Sequence, residues 1–68
     1  MNKNLLRSIM VLHEDTNGSL ADYLNITQNR LSAKMNEWND AQFTQTEIKK
    51  IKERYNLTAE QVDSIFFN

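Results

Sequence analysis

The run Thr16-Asn17-Gly18-Ser19-Leu20-Ala21-Asp22-Tyr23-Leu24-Asn25-Ile26-Thr27-Gln28-Asn29-Arg30-Leu31-Ser32-Ala33-Lys34-Met35-Asn36 reads as two short helices joined by a tight turn at Leu24-Asn25-Ile26-Thr27. Leu20, Ala21 and Leu24 give the first of them one apolar face. Asn25 stands where that helix has to stop, and asparagine tolerates the left-handed conformation better than any residue but glycine. Thr27 is placed to cap the second helix by accepting a bond from a free N–H of its first turn. Ile26 before the cap and Leu31 after it make a hydrophobic staple that sets the angle at which the chain enters the helix. Ala21 is small where the two helices must cross closely.

This pattern is that of a helix-turn-helix unit, whose second helix enters the DNA major groove by its N-terminal end. The residues at that end support the reading. A helix N-terminus carries partial positive charge, and the stabilising choice three residues past a cap is Glu or Gln. Here that residue is Arg30, preceded by Gln28 and Asn29 and followed by Ser32 and Lys34. Arginine is a misfit in an isolated helix but suits a tip that meets a polyanion. Gln and Asn bond adenine edges bidentately, and Arg does the same to guanine. The plainer reading is a solvated polar face; the turn unit in front of it favours DNA readout.

Sixty-eight residues support one domain with one small core, a size that buries only about 60% of the unfolded chain's surface. The chain has no cysteine and one His, which leaves neither a disulfide nor a structural metal site. Stability is therefore expected from helix packing and caps, with no cofactor. No stretch approaches the ~18 apolar residues of a membrane span. The early apolar cluster is broken by Arg7 and Ser8, and no small-residue cleavage site follows, so no signal peptide is expected and the location is read as cytoplasmic. A net charge of −1 argues against indiscriminate nucleic-acid binding. A DNA face requires segregated charge: Arg30 and Lys34 on the reading helix and Lys49, Lys50, Lys52 and Arg54 on a later one. The acidic residues gather at Glu14-Asp15, Asp22, Glu37, Asp40, Glu60 and Asp63.

One Gly and no Pro leave no linker, and alternation of β-branched residues is absent. The expectation is an all-α domain of five helices with short connections. The first covers roughly Lys3 to Glu14, with Leu5, Leu6, Ile9, Met10 and Leu12 as its apolar face and Val11 at the margin. His13 falls in its last turn, where an imidazole favours the negative helix end. Asp15 or Thr16 caps the second helix, and Gly18 weakens its first turn. The third ends near Asn36. Glu37 to Phe43 reads as a loop, in which Trp38 is expected to fold over a core edge rather than project toward a partner or DNA backbone. In the fourth helix Thr44 and Glu47 form a capping box, Phe43 and Ile48 a staple, and Ile48, Ile51 and Tyr55 the buried face. Asn56 ends it. Leu57 and Val62 staple a fifth helix capped by Thr58 and Gln61, with Val62, Ile65 and Phe66 inward. Phe67 either wraps under the first helix or is left for a second copy of the chain, which makes the C-terminal helix the candidate homodimer surface.

With the turn unit second and third of five helices, the chain resembles the lambda-repressor-like, Cro-type DNA-binding domains of temperate phages, most closely small regulators from phages of Gram-positive bacteria. The resemblance covers nearly the whole length. It is carried by Leu20-Ala21-x-x-Leu24-Asn25-Ile26-Thr27, Leu31, Met35-Asn36, Phe43-Thr44-Gln45-x-Glu47-Ile48 and Ile65-Phe66-Phe67. It implies base contacts from Gln28, Asn29, Arg30 and Ala33, with Ser32 adjacent, and phosphate contacts from Asn17 and Asn36. It also implies a bacterial host cell and a role in the lysis–lysogeny switch. The chain departs from the pattern at Asn25, where Gly is commoner, and at Asn17, where Gln is frequent. Lys34 occupies a place often apolar, with Met35 taking over the packing. Ala33 offers only a methyl contact, for example to thymine.

Those departures keep a second class open. Some small phage regulators of this fold are antirepressors, modulators that bind the cognate repressor protein instead of operator DNA. The tip Gln28-Asn29-Arg30, with Lys34 and Trp38, would then dock a polar or acidic protein surface, Trp38 and Arg30 acting as anchors. An enzyme is the weakest reading: the sequence holds no nucleophile–base pair, metal-ligand spacing or phosphate loop.

Overall fold

The computed structural model describes residues 1–67. Five α-helices follow in order: α1 (Lys3–Leu12), α2 (Asn17–Leu24), α3 (Gln28–Asn36), α4 (Gln45–Tyr55) and α5 (Ala59–Phe66), with a 3-10 turn at Trp38–Asp40 between α3 and α4. The all-α expectation and the count of five helices hold. Every helix begins on a side-chain cap. Asn2, Thr16, Thr27, Thr44 and Thr58 accept from the backbone N–H of Leu5, Ser19, Arg30, Glu47 and Gln61 respectively, which satisfies one otherwise orphaned donor at each start. Both expected capping boxes are formed, Thr44 with Glu47 and Thr58 with Gln61.

Three of the helices stop by one device. At the end of α2, Asn25 is left-handed (φ 60°), its N–H bonds Asp22 O, and the next N–H, from Ile26, reaches back to Ala21 O. At the end of α4, Asn56 (φ 52°) and Leu57 repeat the pairing to Glu53 O and Lys52 O. At the end of α1 the left-handed residue is Glu14 (φ 54°), with Glu14 N–H on Val11 O and Asp15 N–H on Met10 O. This paired closure satisfies the last carbonyls and turns the chain sharply. It also shortens α1, which ends at Leu12 rather than at Glu14 as its periodicity suggested.

The core is assembled from all five helices. Leu6, Leu20, Leu31, Met35, Ile51 and Ile65 are the large side chains removed completely from solvent. Each contributes roughly 1.5–3 kcal/mol by burial. Ile9, Met10, Ala21, Leu24, Tyr55 and Leu57 complete the buried set, and Leu5, Ile26, Phe43, Val62 and Phe66 pack around it. α1 lies against α5, and the Asn2 N–H bonds Ile65 O at 2.6 Å, tying the start of the chain to its last helix. Phe43 meets Phe66 edge to face, with ring centroids 5.6 Å apart. That contact closes one edge of the core.

Two apolar side chains lie outside against expectation, and a third, Phe67, takes the outer of the two placements open to it. Trp38 is 58% exposed. Glu37, Asn39 and Asp40 all take left-handed backbone, so the chain coils tightly after α3 and returns to the core only at Phe43. Leu12 is 79% exposed: it follows Leu5 by two turns on one side of α1, but the chain turns away at Glu14 before anything covers it. Phe67 is 65% exposed and does not wrap under α1, while its neighbour Phe66 packs edge to face on Phe43.

Candidate functional site

The turn between α2 and α3 presents the leading end of α3. α2 packs on α3 through Leu20, Ala21 and Leu24 on one side and Leu31 on the other, all buried. Ile26 is half-buried beside them. Gln28, Asn29 and Arg30, the first turn of α3, are all exposed. Asn29 and Arg30 point off the face of Leu31 and Met35, whereas Gln28 shares that face and reaches solvent because it lies at the helix start, beside Gly18 of α2. Arg30 opens onto a shallow concavity of about 480 Å³ lined also by Asp22, Asn25, Ile26 and Thr27. Asn17, the first residue of α2, is exposed.

The remaining candidates separate. Ser32 and Ala33 are half-buried on the flank of α3. Asn36 donates from Nδ2 to Ser32 O at 2.9 Å and accepts at Oδ1 from Lys3 Nζ at 2.6 Å. It therefore comes with a cation that nothing local in the sequence had associated with α3.

Lys34 is a correction. Grouped above with the surface contacts, it is only 5% exposed, and its Nζ lies 2.6 Å from Glu47 Oε1. Positions 31, 34 and 35 share one helical face, so a lysine between two core residues must point inward. It is tolerated because α4 supplies a carboxylate there. The same Oε1 accepts from Thr44 N–H at 2.9 Å, so the capping-box glutamate doubles as the counter-ion. Burial alone would raise the Glu47 pKa, but Lys34 and the Thr44 N–H outweigh it and hold the carboxyl below its usual range.

A second ion pair anchors α2. Arg54 donates from Nε to Asp15 Oδ2 at 2.8 Å and from Nη2 to Oδ1 at 3.1 Å, and Tyr55 OH donates to the same carboxylate. The guanidinium lies 4.6 Å from the centre of the Tyr23 ring, and His13 stacks at a tilt on Tyr55 with centroids 5.1 Å apart. The bonds from Arg54 lower the Asp15 pKa to about 2; burial opposes them, and Tyr55 and the Thr16 N–H assist. Burial first, and then the Asp15 carboxylate, push the Tyr55 phenol well above its usual range.

α2 is thus tied to α4 through Asp15 and Tyr23, and α3 through Lys34. These ties orient the pair of helices that carries the exposed tip. They also remove Lys34 and Arg54 from the set of cations that the sequence reading assigned to a basic face. Arg30, Lys49 and Lys52 remain exposed. Among the described residues no group of His, Cys, Asp or Glu side chains is arranged to hold a metal ion, and no helix is long and apolar enough to cross a membrane.

The class defined to this point is a five-helix, all-α domain with a polar helix tip held out on two ion-paired helices. Comparison with protein-family models, with curated proteins and with solved structures gave no match to this chain.

Proposed function

We propose that this chain is a helix-turn-helix transcriptional regulator of the lambda-repressor-like, Cro-type class, acting in the lysis–lysogeny switch of a phage. On this reading it binds operator DNA with the helix that starts at Gln28 in the major groove. The observation that carries the reading is the division of α3: Gln28, Asn29 and Arg30 stand in solvent at its leading end, while Leu31 and Met35 are buried. A short helix whose exposed first turn holds two amides and a guanidinium offers the donors and acceptors that base edges require. Its positive end also faces the same way as those side chains, which favours a phosphate-rich surface.

In this arrangement Gln28 and Asn29 read adenine edges, Arg30 reads guanine, and Ala33 places a methyl against thymine. Asn17 and Asn36 position the domain on phosphates, and Lys3 joins Asn36 there through its 2.6 Å bond. Two half-sites would be matched by a homodimer, for which the exposed Phe67 at the end of α5 is the available apolar contact.

Selection from a pool of randomised DNA duplexes, followed by titration across a range of salt, tests the reading. The expected result is an affinity that falls as salt rises. Discrimination should drop roughly 5- to 150-fold at one base pair each for Gln28→Ala and Asn29→Ala, from the value of a bidentate contact. Full site preference in both variants refutes the assignment.

One observation favours a second reading, in which the chain is an antirepressor that binds the cognate repressor. Trp38 is 58% exposed two residues past the end of α3, and an exposed indole is the anchor chemistry of protein interfaces. This reading expects a complex with the repressor that Trp38→Ala weakens, and little or no shift of operator DNA by this chain alone. Failure of the two proteins to co-elute removes it.

A further inference from the structure

The chain has one glycine, Gly18, and its backbone does not require one. It lies in the first turn of α2 and its φ is outside the left-handed region. Alanine would favour the helix there. What glycine provides at this position is room, and the room is occupied. A Cβ added at Gly18 would stand 3.3 Å from Gln28 Nε2, 3.7 Å from Gln28 Cδ and 3.8 Å from Thr16 Oγ1. The Gln28 side chain therefore lies back across the start of α2, its amide over the bare Cα.

We propose that Gly18 is a specificity-determining residue: its missing side chain seats the Gln28 amide against α2, and that seat sets which base edge the amide reaches. The inference rests on the DNA-binding reading. Bidentate readout of adenine requires both amide heteroatoms to be presented together at a fixed depth in the groove. A glutamine free to rotate about three bonds loses that freedom on binding, whereas one already resting on a backbone loses less. A methyl at position 18 leaves the helix backbone where it is and makes the amide, the movable end of a flexible chain, give way by a few tenths of an ångström from its seat. Gly18→Ala therefore strengthens the helix and degrades the reading. A merely structural role for Gly18 does not produce these opposite signs.

The test uses Gly18→Ala, Gln28→Ala and the double variant, each compared with the unaltered protein. The readouts are the thermal midpoint, the discrimination at every base pair of the selected duplex, and the nuclear Overhauser contact between Gly18 Hα and the Gln28 side-chain amide protons in the free protein. Gly18→Ala is expected to raise the midpoint and to reduce discrimination by roughly fivefold or more, only at the base pair that Gln28→Ala affects. The double variant should match Gln28→Ala, since the two side chains act through one contact. Absence of the Overhauser contact, or a loss spread evenly over all base pairs, overturns the proposal. A preference lost in Gln28→Ala but kept in Gly18→Ala overturns it and leaves the DNA-binding reading standing. No site preference in the unaltered protein overturns both.

Discussion

Glu47→Gln keeps the shape of the side chain and an oxygen to accept from Thr44 N–H, but removes the charge that faces Lys34. The two side chains are 7% and 11% exposed, and their charged atoms are 2.6 Å apart. At an effective dielectric of about 20, that separation gives an attraction of roughly 6 kcal/mol. Removing the two ions from water costs several kcal/mol each, so the intact pair is close to neutral against an apolar pair of the same volume. Breaking it is different, because a charged lysine is then left inside without a counter-charge, at a cost of about 3–5 kcal/mol. A 68-residue domain has a total stability of about 3–10 kcal/mol, so this single change brings the fold near its limit. Lys34→Met/Glu47→Gln removes both charges and is expected to return to within about 1 kcal/mol of the unaltered protein. Urea unfolding followed by circular dichroism, with an unchanged m value, measures the three variants. A Glu47→Gln loss below about 1 kcal/mol, or a double variant no more stable than Glu47→Gln, refutes the account of Lys34 as a buried, partner-dependent charge.

The Asp15 carboxyl titrates at about 2 in the folded chain instead of 3.8, so its stabilisation is complete above about pH 4 and is lost as pH falls toward 2. Asp15→Asn should cost about 2 kcal/mol at neutral pH and flatten the acid limb of an unfolding curve measured between pH 5 and 2. Glu14 holds left-handed backbone at φ 54°; Glu14→Gly relieves a strain of about 1–2 kcal/mol and gives part of it back as unfolded-state entropy. A net gain near 0.5–1 kcal/mol in urea is the expected result. Trp38→Ala should change stability by less than about 0.5 kcal/mol, as for other exposed positions, while its effect on DNA or repressor binding distinguishes the two functional readings.

Much of the architecture was legible because it is enforced over three or four residues. A threonine oxygen three positions before an unpaired N–H makes a cap wherever the chain is helical, and so Thr27, Thr44 and Thr58 were readable from spacing. Asn25 and Asn56 were readable because few residues enter the left-handed region cheaply. Glu14 was not, since glutamate has no such preference; the closure of α1 is imposed by the packing on either side of it. For Asn29 and Arg30 exposure followed from one local fact, that Leu31 turns inward; Gln28, on the same face as Leu31, is exposed because it starts the helix. Lys34 was misplaced by its charge, although its position between Leu31 and Met35 already pointed it toward the core.

The number of helices, their starts and most of their stops are properties of the sequence alone, because side chain-to-backbone bonds and helical periodicity act within a few residues. Tertiary structure alone decided which charges meet and which apolar groups stay wet. Lys34 finds Glu47 across 13 positions and Arg54 finds Asp15 across 39, while Gln28 settles on Gly18 and Leu12, Trp38 and Phe67 remain outside. Burial and ion pairing depend on what another helix brings to the same place, and no short window of sequence contains that helix.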